Sequence, residues 1–378
     1  MAKQFLIVGA GFAGSVCARQ LADAGHRVVI VDKRDHIGGN AFDTYDGAGV
    51  LIHKYGPHIF HTNSKDVFQY LSRFTDWHFY EHKVLARVGQ GMSGGVHIPD
   101  KLMPVPINAT TIKTFYGLNH LPTELEMEKY FSGERVPVTD IKNSEDKLLS
   151  TIGKRLTDVF FRGYSRKQWG MDLNELAPSV AARIPYRTND DDRYFTDNFQ
   201  FMPAHGYGSL FCEMLRHPNI DIKLNEDATC KMLVSWPHFD HLIWTGPIDE
   251  FFGYRHGKLP YRSLKFEHEH LPFKAQFQSV ATVNEPAYNI PYTRTTEFKH
   301  MTGQDHLGTS ICREYPTADG DPYYPIPNAA NQAMYLAYEN EAYKMNNVAT
   351  FVGRLAQYKY YNMDQVVASA LTAVKKLL

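Results

Sequence analysis

The chain of 378 residues carries 40 Lys plus Arg against 41 Asp plus Glu, a formal net charge of -1. That balance gives no global field to draw in nucleic acid or an anionic membrane, and the length suits two or three structural units rather than one. The sequence has no apolar run of the roughly 18 to 20 residues needed to cross a bilayer and no charged-then-apolar leader, so we expect a soluble cytoplasmic protein with no membrane insertion and no nucleic-acid partner. Cys17, Cys212, Cys230 and Cys312 show no CxxC spacing and read as buried small hydrophobes rather than a zinc site or disulfide framework. The 23 Tyr, 23 Phe and 4 Trp are a surplus that either fills a core or supplies faces for stacking a base, a sugar or a flavin ring.

Gln4 to Val8 is a short apolar run that breaks into Gly9-Ala10-Gly11-Phe12-Ala13-Gly14, after which Val16, Ala18 and Leu21 recur at helical spacing. A second apolar run, Val28 to Val31, ends at Asp32, 18 residues past the third glycine. Strand, glycine turn, helix and terminal acid together read as a dinucleotide-binding βαβ unit, in which glycines admit a pyrophosphate to a helix N-terminus and the acid accepts ribose hydroxyls. The other reading is a tight βα turn without ligand. Just beyond Lys33 lies a second glycine pair, Gly38-Gly39-Asn40, which NAD binding does not require. It is similar to the second contact loop of the FAD-binding oxidoreductase and amine-oxidase superfamily, as His241 to Gly246 (HLIWTG) and Ala349 to Arg354 (ATFVGR) are to its later strands.

Between these pieces the pattern changes. Glu124 to Phe131 reads as helix, as does Ser144 to Phe161, which carries Leu148, Leu149, Ile152, Leu156, Val159 and Phe160 on one stripe. Ser279 to Val283 and Thr309 to Tyr315 read as strands, with breaks at Pro286, Pro291 and Pro316, and Gly89 to Gly95 reads as a hairpin tip. The expected fold is α/β: a discontinuous FAD-binding Rossmann-like domain over 1–83, 200–255 and 330–378, an inserted helical domain over 84–180, and an antiparallel β-sheet domain over 181–199 and 256–329. At the end, Asn362-Met363-Asp364 opens a helix with Val366, Val367, Ala370, Leu371, Val374 and Leu378 at helical spacing. Its N-terminal N–H groups would stabilise an anionic reduced flavin, or the helix simply docks on a sheet.

Three groups of residues could carry chemistry. Gly56 to Thr62 (GPHIFHT) holds His58 and His61 three apart, with no third ligand at a readable spacing, so flavin-side histidines are favoured over a metal site. Phe160 to Gly170 (FFRGYSRKQWG) packs Phe160, Phe161, Tyr164 and Trp169 with Arg162, Arg166 and Lys167. Its aromatic faces can sandwich a base whose edge Gln168 reads, while the cations offset phosphate charge; amphipathic packing with a solvated basic face is the alternative. Arg183 and Arg294 present rigid forks suited to one diphosphate. Tyr194, Tyr323, Tyr324, Tyr358, Tyr360 and Tyr361 can bond phosphate or sugar without adding charge, or belong to the core.

With GxGxxG, HIGGN, GPHIFHT, FFRGYSRKQWG, PYTR, PYYP and GRLAQYKYYNMD in this order, residues 4–375 closely resemble the bacterial UDP-galactopyranose mutases. The resemblance implies a homodimer with a mobile substrate loop in the helical domain. It places Phe160, Phe161, Tyr164, Gln168 and Trp169 at uridine, Arg183 and Arg294 at the diphosphate, and Tyr194, Tyr324 and Tyr360 on the phosphates. Arg262 resembles a further family arginine at the substrate, and His58, Ile59 and His61 fall beside the flavin. FAD contacts are implied for Gly9, Gly11, Phe12, Ala13, Gly14, Asp32, Lys33, Gly38, Gly39, Asn40, Gly353, Arg354, Met363 and Asp364. Asn362 stands at a substrate position where many members have Asp, which puts in doubt any role that needs a carboxylate.

The implied reaction interconverts UDP-galactopyranose and UDP-galactofuranose without net redox: FAD, reduced by NAD(P)H, attacks the anomeric carbon through N5 and displaces UDP to a covalent sugar adduct. The absence of a nucleophile elbow or a paired-carboxylate signature agrees with cofactor-borne chemistry. The alternatives are an FAD-dependent oxidoreductase of the amine-oxidase superfamily, a non-catalytic nucleotide binder, or a mutase that also accepts UDP-N-acetylgalactosamine.

Overall fold

Five short strands form a parallel sheet in the order 220–224, 27–32, 4–8, 241–244, 349–351. Numbered along the chain this is 3-2-1-4-5, the order of a Rossmann-like sheet. The computed structural model describes residues 2–89, 101–183, 185–228 and 238–378. Parallel strands are covered on both faces, which is why Phe5, Leu6, Ile7, Ile30, Val31, Leu242 and Ile243 form near-continuous apolar runs and are all buried. Helix Phe12–Asp23 follows the first strand and packs against helix Met363–Lys375, with Cys17 Sγ 3.9 Å from the Ala370 carbonyl. The last helix therefore joins the first βα unit although more than 300 residues separate them.

The chain divides into two units, residues 1–80, 197–260 and 330–378, and residues 81–196 with 261–329. In the second, seven strands pair in the order 324–325, 261–271, 309–317, 294–297, 282–284, 84–88, 101–105. The pairing is antiparallel except where 282–284 runs parallel to 84–88. The sheet is thus mixed, and the segment 84–180 is not all helix: its first two elements, Val84–Val88 and Lys101–Val105, are strands. Burial alternates along Val84–Val88 because Val84, Ala86 and Val88 point into one core, a period-2 pattern short enough to miss, whereas Lys101–Val105 passes from exposed to buried. Those two strands flank the glycine loop read as a hairpin tip, of which residues 90–95 lie outside the described residues.

The helix expected over 144–161 is broken. Asn143 caps Ser144–Thr151, and Gly153 then takes φ +80°, where a Cβ would lie 2.2 Å from the Glu134 carbonyl oxygen. The chain resumes as Gly153–Leu156, passes through a π-helical stretch Thr157–Arg162, and ends as α-helix Gly163–Trp169. Cys17 and Cys312 are buried as expected, whereas Cys212 is exposed, and Cys230 lies outside the described residues. Among the described residues no helix is long and apolar enough to cross a membrane.

One long-range cap holds the first unit together. Asp43, buried on strand Asp43–Tyr45, accepts from the Tyr207 and Gly208 N–H groups at 2.6 and 2.7 Å and so caps helix Gly206–Leu215. Burial raises the Asp43 pKa, opposed by these two donors. Replacing Asp43 by Ala leaves the helix donors unpaired and is expected to cost about 1 to 2 kcal/mol. Urea unfolding of Asp43→Ala against the parent checks this, with Asp43→Asn expected to lose less because it keeps one acceptor.

Candidate active site

In the first unit the pieces expected to contact a dinucleotide converge. Gly9 takes φ +102°, and a Cβ there would lie 2.1 Å from Thr245 Oγ1; one on Gly14 would lie 1.9 Å from the Gly9 carbonyl oxygen. These glycines are therefore required by close backbone approach. Gly38 N–H donates to the Ala10 carbonyl at 2.8 Å, and a Cβ on Gly39 would sit 3.0 Å from Gly11 Cα, so the two glycine turns are in backbone contact. Gly353, at φ +103°, abuts Ala13, and Thr245 donates to the Val8 carbonyl at 2.7 Å. Helix Phe12–Asp23 starts at Gly11 with no side-chain cap, which leaves its first N–H groups available to a pyrophosphate. Asp32 Oδ2 accepts from Ala10 N–H at 2.7 Å and Oδ1 from Arg34 N–H at 2.9 Å. The acid thus braces the turn, and a carboxylate retains further lone pairs for ribose hydroxyls. Phe12 and Ala13 are buried, Ile59 and Asn40 half-buried, and Lys33 exposed. The geometry fits a dinucleotide.

The histidine segment lies against the start of the last helix. Thr62 Oγ1 donates to Asp364 Oδ2 at 2.9 Å, and Asn362 is the N-cap residue, its N–H donating to Gln365 Oε1 at 2.8 Å. Asn and Asp serve an N-cap equally well, so this structural part of the position needs no carboxylate. His58 and His61 do not share a ligand: His58 Nδ1 lies 3.0 Å from the Gly56 carbonyl, whereas His61 Nδ1 lies 2.9 Å from Asp197 Oδ2. His58 N–H donates to Nδ1 of buried His53 at 3.0 Å. Arg354 Nε donates to the Tyr361 carbonyl at 3.1 Å, and its guanidinium lies 5.7 Å from the Tyr360 ring centre. Tyr358 is core, stacked on Tyr335 at 6.0 Å, while Tyr360 and Tyr361 are half-buried.

In the second unit sheet register does the assembling. Arg294 pairs directly with Glu314, Glu314 with Phe266, and Arg262 with Tyr324. Because side chains alternate with period 2, residues 262, 324, 314 and 294 share one face of the sheet. Arg294 Nε lies 3.3 Å from Glu314 Oε2. Burial opposes the Arg294 charge, but the Glu314 carboxylate and the neighbouring Tyr164, Tyr324 and Tyr194 outweigh it and hold its pKa well above the ordinary value. Burial pushes the Glu314 carboxyl up, opposed by Arg294. The ion pair is made through Nε. The structure therefore joins Arg294, Tyr164, Tyr194 and Tyr324 into one cluster, with Trp169 6.2 Å from the Tyr324 ring. Arg183 is exposed at the C-terminal end of helix Pro178–Ala182.

Several expected roles change. Arg162 is paired with Asp158 and Glu145, Arg166 with Asp172, and Lys167 donates to four backbone carbonyls, so these cations are spent on the protein rather than on phosphate. Arg262 is likewise spent: its Nε donates to the Gln168 carbonyl at 2.9 Å and its Nη2 to the Lys167 carbonyl at 3.2 Å, which satisfies the C-terminal end of helix Gly163–Trp169. Phe160 is core, 6.1 Å from the Phe115 ring, so its face is covered. Phe161 instead lines a cavity of about 210 Å³ with Ile107, Leu148, Ile152, Pro185 and Tyr186. Tyr323 is also core, edge-on to Phe266 at 5.6 Å. Gln168 is buried, and its Oε1 has no hydrogen-bond partner among the described residues. Buried acceptors left open in this way are costly unless a ligand fills them.

Glu314 and Asp197 escaped the sequence reading, whereas Thr245 lies in the HLIWTG segment it singled out. Glu314 was within reach, since pairing the alternating strand around it with the one that starts at Arg294 sets them opposite. Asp197 offered no signal, because 136 residues separate it from His61.

The sequence model described as UDP-galactopyranose mutase matches residues 159–360, and the one described as NAD(P)-binding Rossmann-like domain matches residues 7–74. The chain is 37% identical to a probable UDP-galactopyranose mutase of Klebsiella pneumoniae, covering 100% of this chain and 95% of that protein. It is 34% identical to a dTDP-fucopyranose mutase of Escherichia coli, over 98% of this chain and 97% of that one. The fold is similar to the crystal structure of a reduced UDP-galactopyranose mutase, with TM-score 0.78 and 16% identity over 100% of this chain and 94% of that one.

The His53 environment generates a pH prediction. Burial, reinforced by His58, lowers the His53 pKa to about 3. Unfolding restores a value near 6.5, so the unfolded chain binds the extra proton between these limits, and stability falls as pH drops from about 6.5 toward 3. Urea midpoints between pH 7 and 4.5 should decline less in His53→Gln than in the parent; equal slopes would contradict the assignment.

Proposed function

Because the chain belongs to the UDP-galactopyranose mutase family, we propose that it interconverts UDP-galactopyranose and UDP-galactofuranose on FAD, with no net redox. The observation that carries this reading is the Arg294 cluster: one guanidinium paired with Glu314, with Tyr164, Tyr194 and Tyr324 close enough to act on its charge, suits a diphosphate that must leave and be recaptured. Arg183 supplies the second fork. Tyr194, Tyr324 and Tyr360 donate to phosphate oxygens. Gln168 Oε1 is an acceptor without a partner, and N3–H is the donor on the edge of uracil.

FAD would be held by the Gly9 to Gly14 and Gly38 to Asn40 turns, by Asp32 and Lys33, by His58 and Ile59, and by Gly353, Arg354, Met363 and Asp364. When bound and reduced, with NAD(P)H as electron source, it supplies a nucleophilic N5 to the anomeric carbon. The protein's share is positional: His58 and His61 would stand beside the cofactor, and the arginines and tyrosines would keep the departing UDP within reach. Three domains with a mobile substrate loop, a homodimer and a cytoplasmic location complete the proposal. The 34% identity to a dTDP-fucopyranose mutase supports a second reading, in which the substrate is dTDP-fucopyranose on the same machinery.

Dithionite-reduced protein incubated anaerobically with UDP-galactofuranose should yield UDP-galactopyranose by chromatography, with repeated turnover and no electron acceptor. Parallel incubation with dTDP-fucofuranose decides between the two readings by kcat/KM. Arg183→Ala and Arg294→Ala should each lower kcat at least about 100-fold, the scale of losing a strong transition-state donor; near-parental turnover in both removes the diphosphate assignment.

A further inference from the structure

Helix Gly163–Trp169 grips the hairpin loop that leads into Arg294. Strands Thr282–Asn284 and Arg294–Glu297 are antiparallel neighbours, and their connection is closed by the Glu285 N–H on the Thr293 carbonyl at 2.9 Å. Into this loop reaches the Lys167 ammonium, which donates to the carbonyls of Glu285, Ala287, Ile290 and Tyr292 at 2.5, 2.9, 3.0 and 2.9 Å. An ammonium has three protons, so four converging carbonyls form a cage of the kind that surrounds a bare monovalent cation. One helical turn earlier on the same face is Gly163, where a Cβ would lie 2.3 Å from the Pro286 carbonyl oxygen. A missing side chain and a half-buried cation thus press the loop onto the helix together.

The surrounding charges suit this arrangement. Glu285, whose charge acts on Lys167, is buried and accepts from Arg87 Nε at 3.0 Å, and Arg262 donates to the Lys167 and Gln168 carbonyls. Burial lowers the Lys167 pKa to about 8, opposed by Glu285, so the ammonium is held by carbonyl dipoles rather than by a partnered acid. Within the loop, which contains Pro286 and Pro291, Ile290 N–H donates to the Ala287 carbonyl at 3.3 Å and Thr293 N–H to the Glu314 carbonyl at 2.9 Å.

We propose that Lys167 is a positioning residue: an internal cation that shapes loop 285–293 and thereby sets where Arg294 presents its fork. This rests on the reading that Arg294 holds the diphosphate. Removing the ammonium leaves four carbonyls converging on a void, which relaxes the loop and displaces Arg294 without altering any group that touches substrate.

The test compares the full-length parent with Lys167→Met, Lys167→Ala and Arg294→Ala, using reduced, FAD-loaded protein. Hydrogen exchange by mass spectrometry should show amides of 285–297 exchanging about tenfold faster in Lys167→Met, while those of 363–375 keep the parental rate. Turnover of UDP-galactofuranose should fall at least about tenfold, the scale of small misplacement of a binding group. Ethylammonium should slow the exchange and restore turnover in Lys167→Ala, whose void admits it, and do neither in Lys167→Met or Arg294→Ala. Parental exchange rates in Lys167→Met, or a Lys167→Ala protein indifferent to the amine, would overturn the proposal. If Lys167→Met proves insoluble, Lys167→Ala purified in ethylammonium decides: activity lost on dialysis and regained on re-addition supports it, and amine-independent activity overturns it. A parent inactive on both nucleotide sugars would sink the functional reading instead, and the exchange data would still decide the role of Lys167.

Discussion

A positive charge drawn partly out of water must find acceptors, and the second unit places three cations under this constraint around one helix and one sheet. Removing an ion from water costs several kcal/mol even after relaxation. Arg294 meets the cost with a cross-strand carboxylate, Glu314. Arg262 meets it with two carbonyls at the end of helix Gly163–Trp169, where the helix dipole is negative. Lys167 meets it with four loop carbonyls. These are different solutions with different chemical consequences. The Arg294 guanidinium is paired with an acid through Nε, whereas Arg262, whose Nε and Nη2 both cap a helix, is committed to structure.

The helix that carries Tyr164, Gln168 and Trp169 owes its placement to these commitments. Arg262 holds its C-terminus, Lys167 and Gly163 hold one face to loop 285–293, and Gly170 terminates it in the left-handed region at φ +66° beside Arg262. The π-helical stretch Thr157–Arg162 precedes it, a local loosening of the kind that often marks functional sites. Gln168 can therefore keep a buried amide oxygen unpaired, because the surrounding hydrogen bonds fix the backbone independently of that side chain.

The first unit obeys a different constraint, close backbone approach. Its glycine turns meet one another and strand ends that lie hundreds of residues away, and at Gly9, Gly14 and Gly353 a side chain would collide with backbone or a packed neighbour. This is legible in a sequence, since paired glycines after an apolar run have few other uses. The same holds for the apolar runs of the parallel sheet and for Asn362 at the start of the last helix. The Rossmann-like parallel sheet follows the expectation drawn from those patterns.

Less legible were the roles of charged and aromatic residues in the run FFRGYSRKQWG. Composition marked it as unusual, and the structure then separated its members: Phe160 into the core, Phe161 onto a cavity, Arg162 and Arg166 into ion pairs, Lys167 into a loop, and Gln168 with an open acceptor. The strands at 84–88 and 101–105 were likewise hidden inside a segment that otherwise reads as helical. The sequence by itself determined the elements that depend on local periodicity and on glycine geometry, together with the family to which the chain belongs. Only the tertiary structure decided which cations and rings remain available to a ligand, because a side chain's availability depends on partners brought to it from distant strands and loops, and no spacing along the chain encodes them.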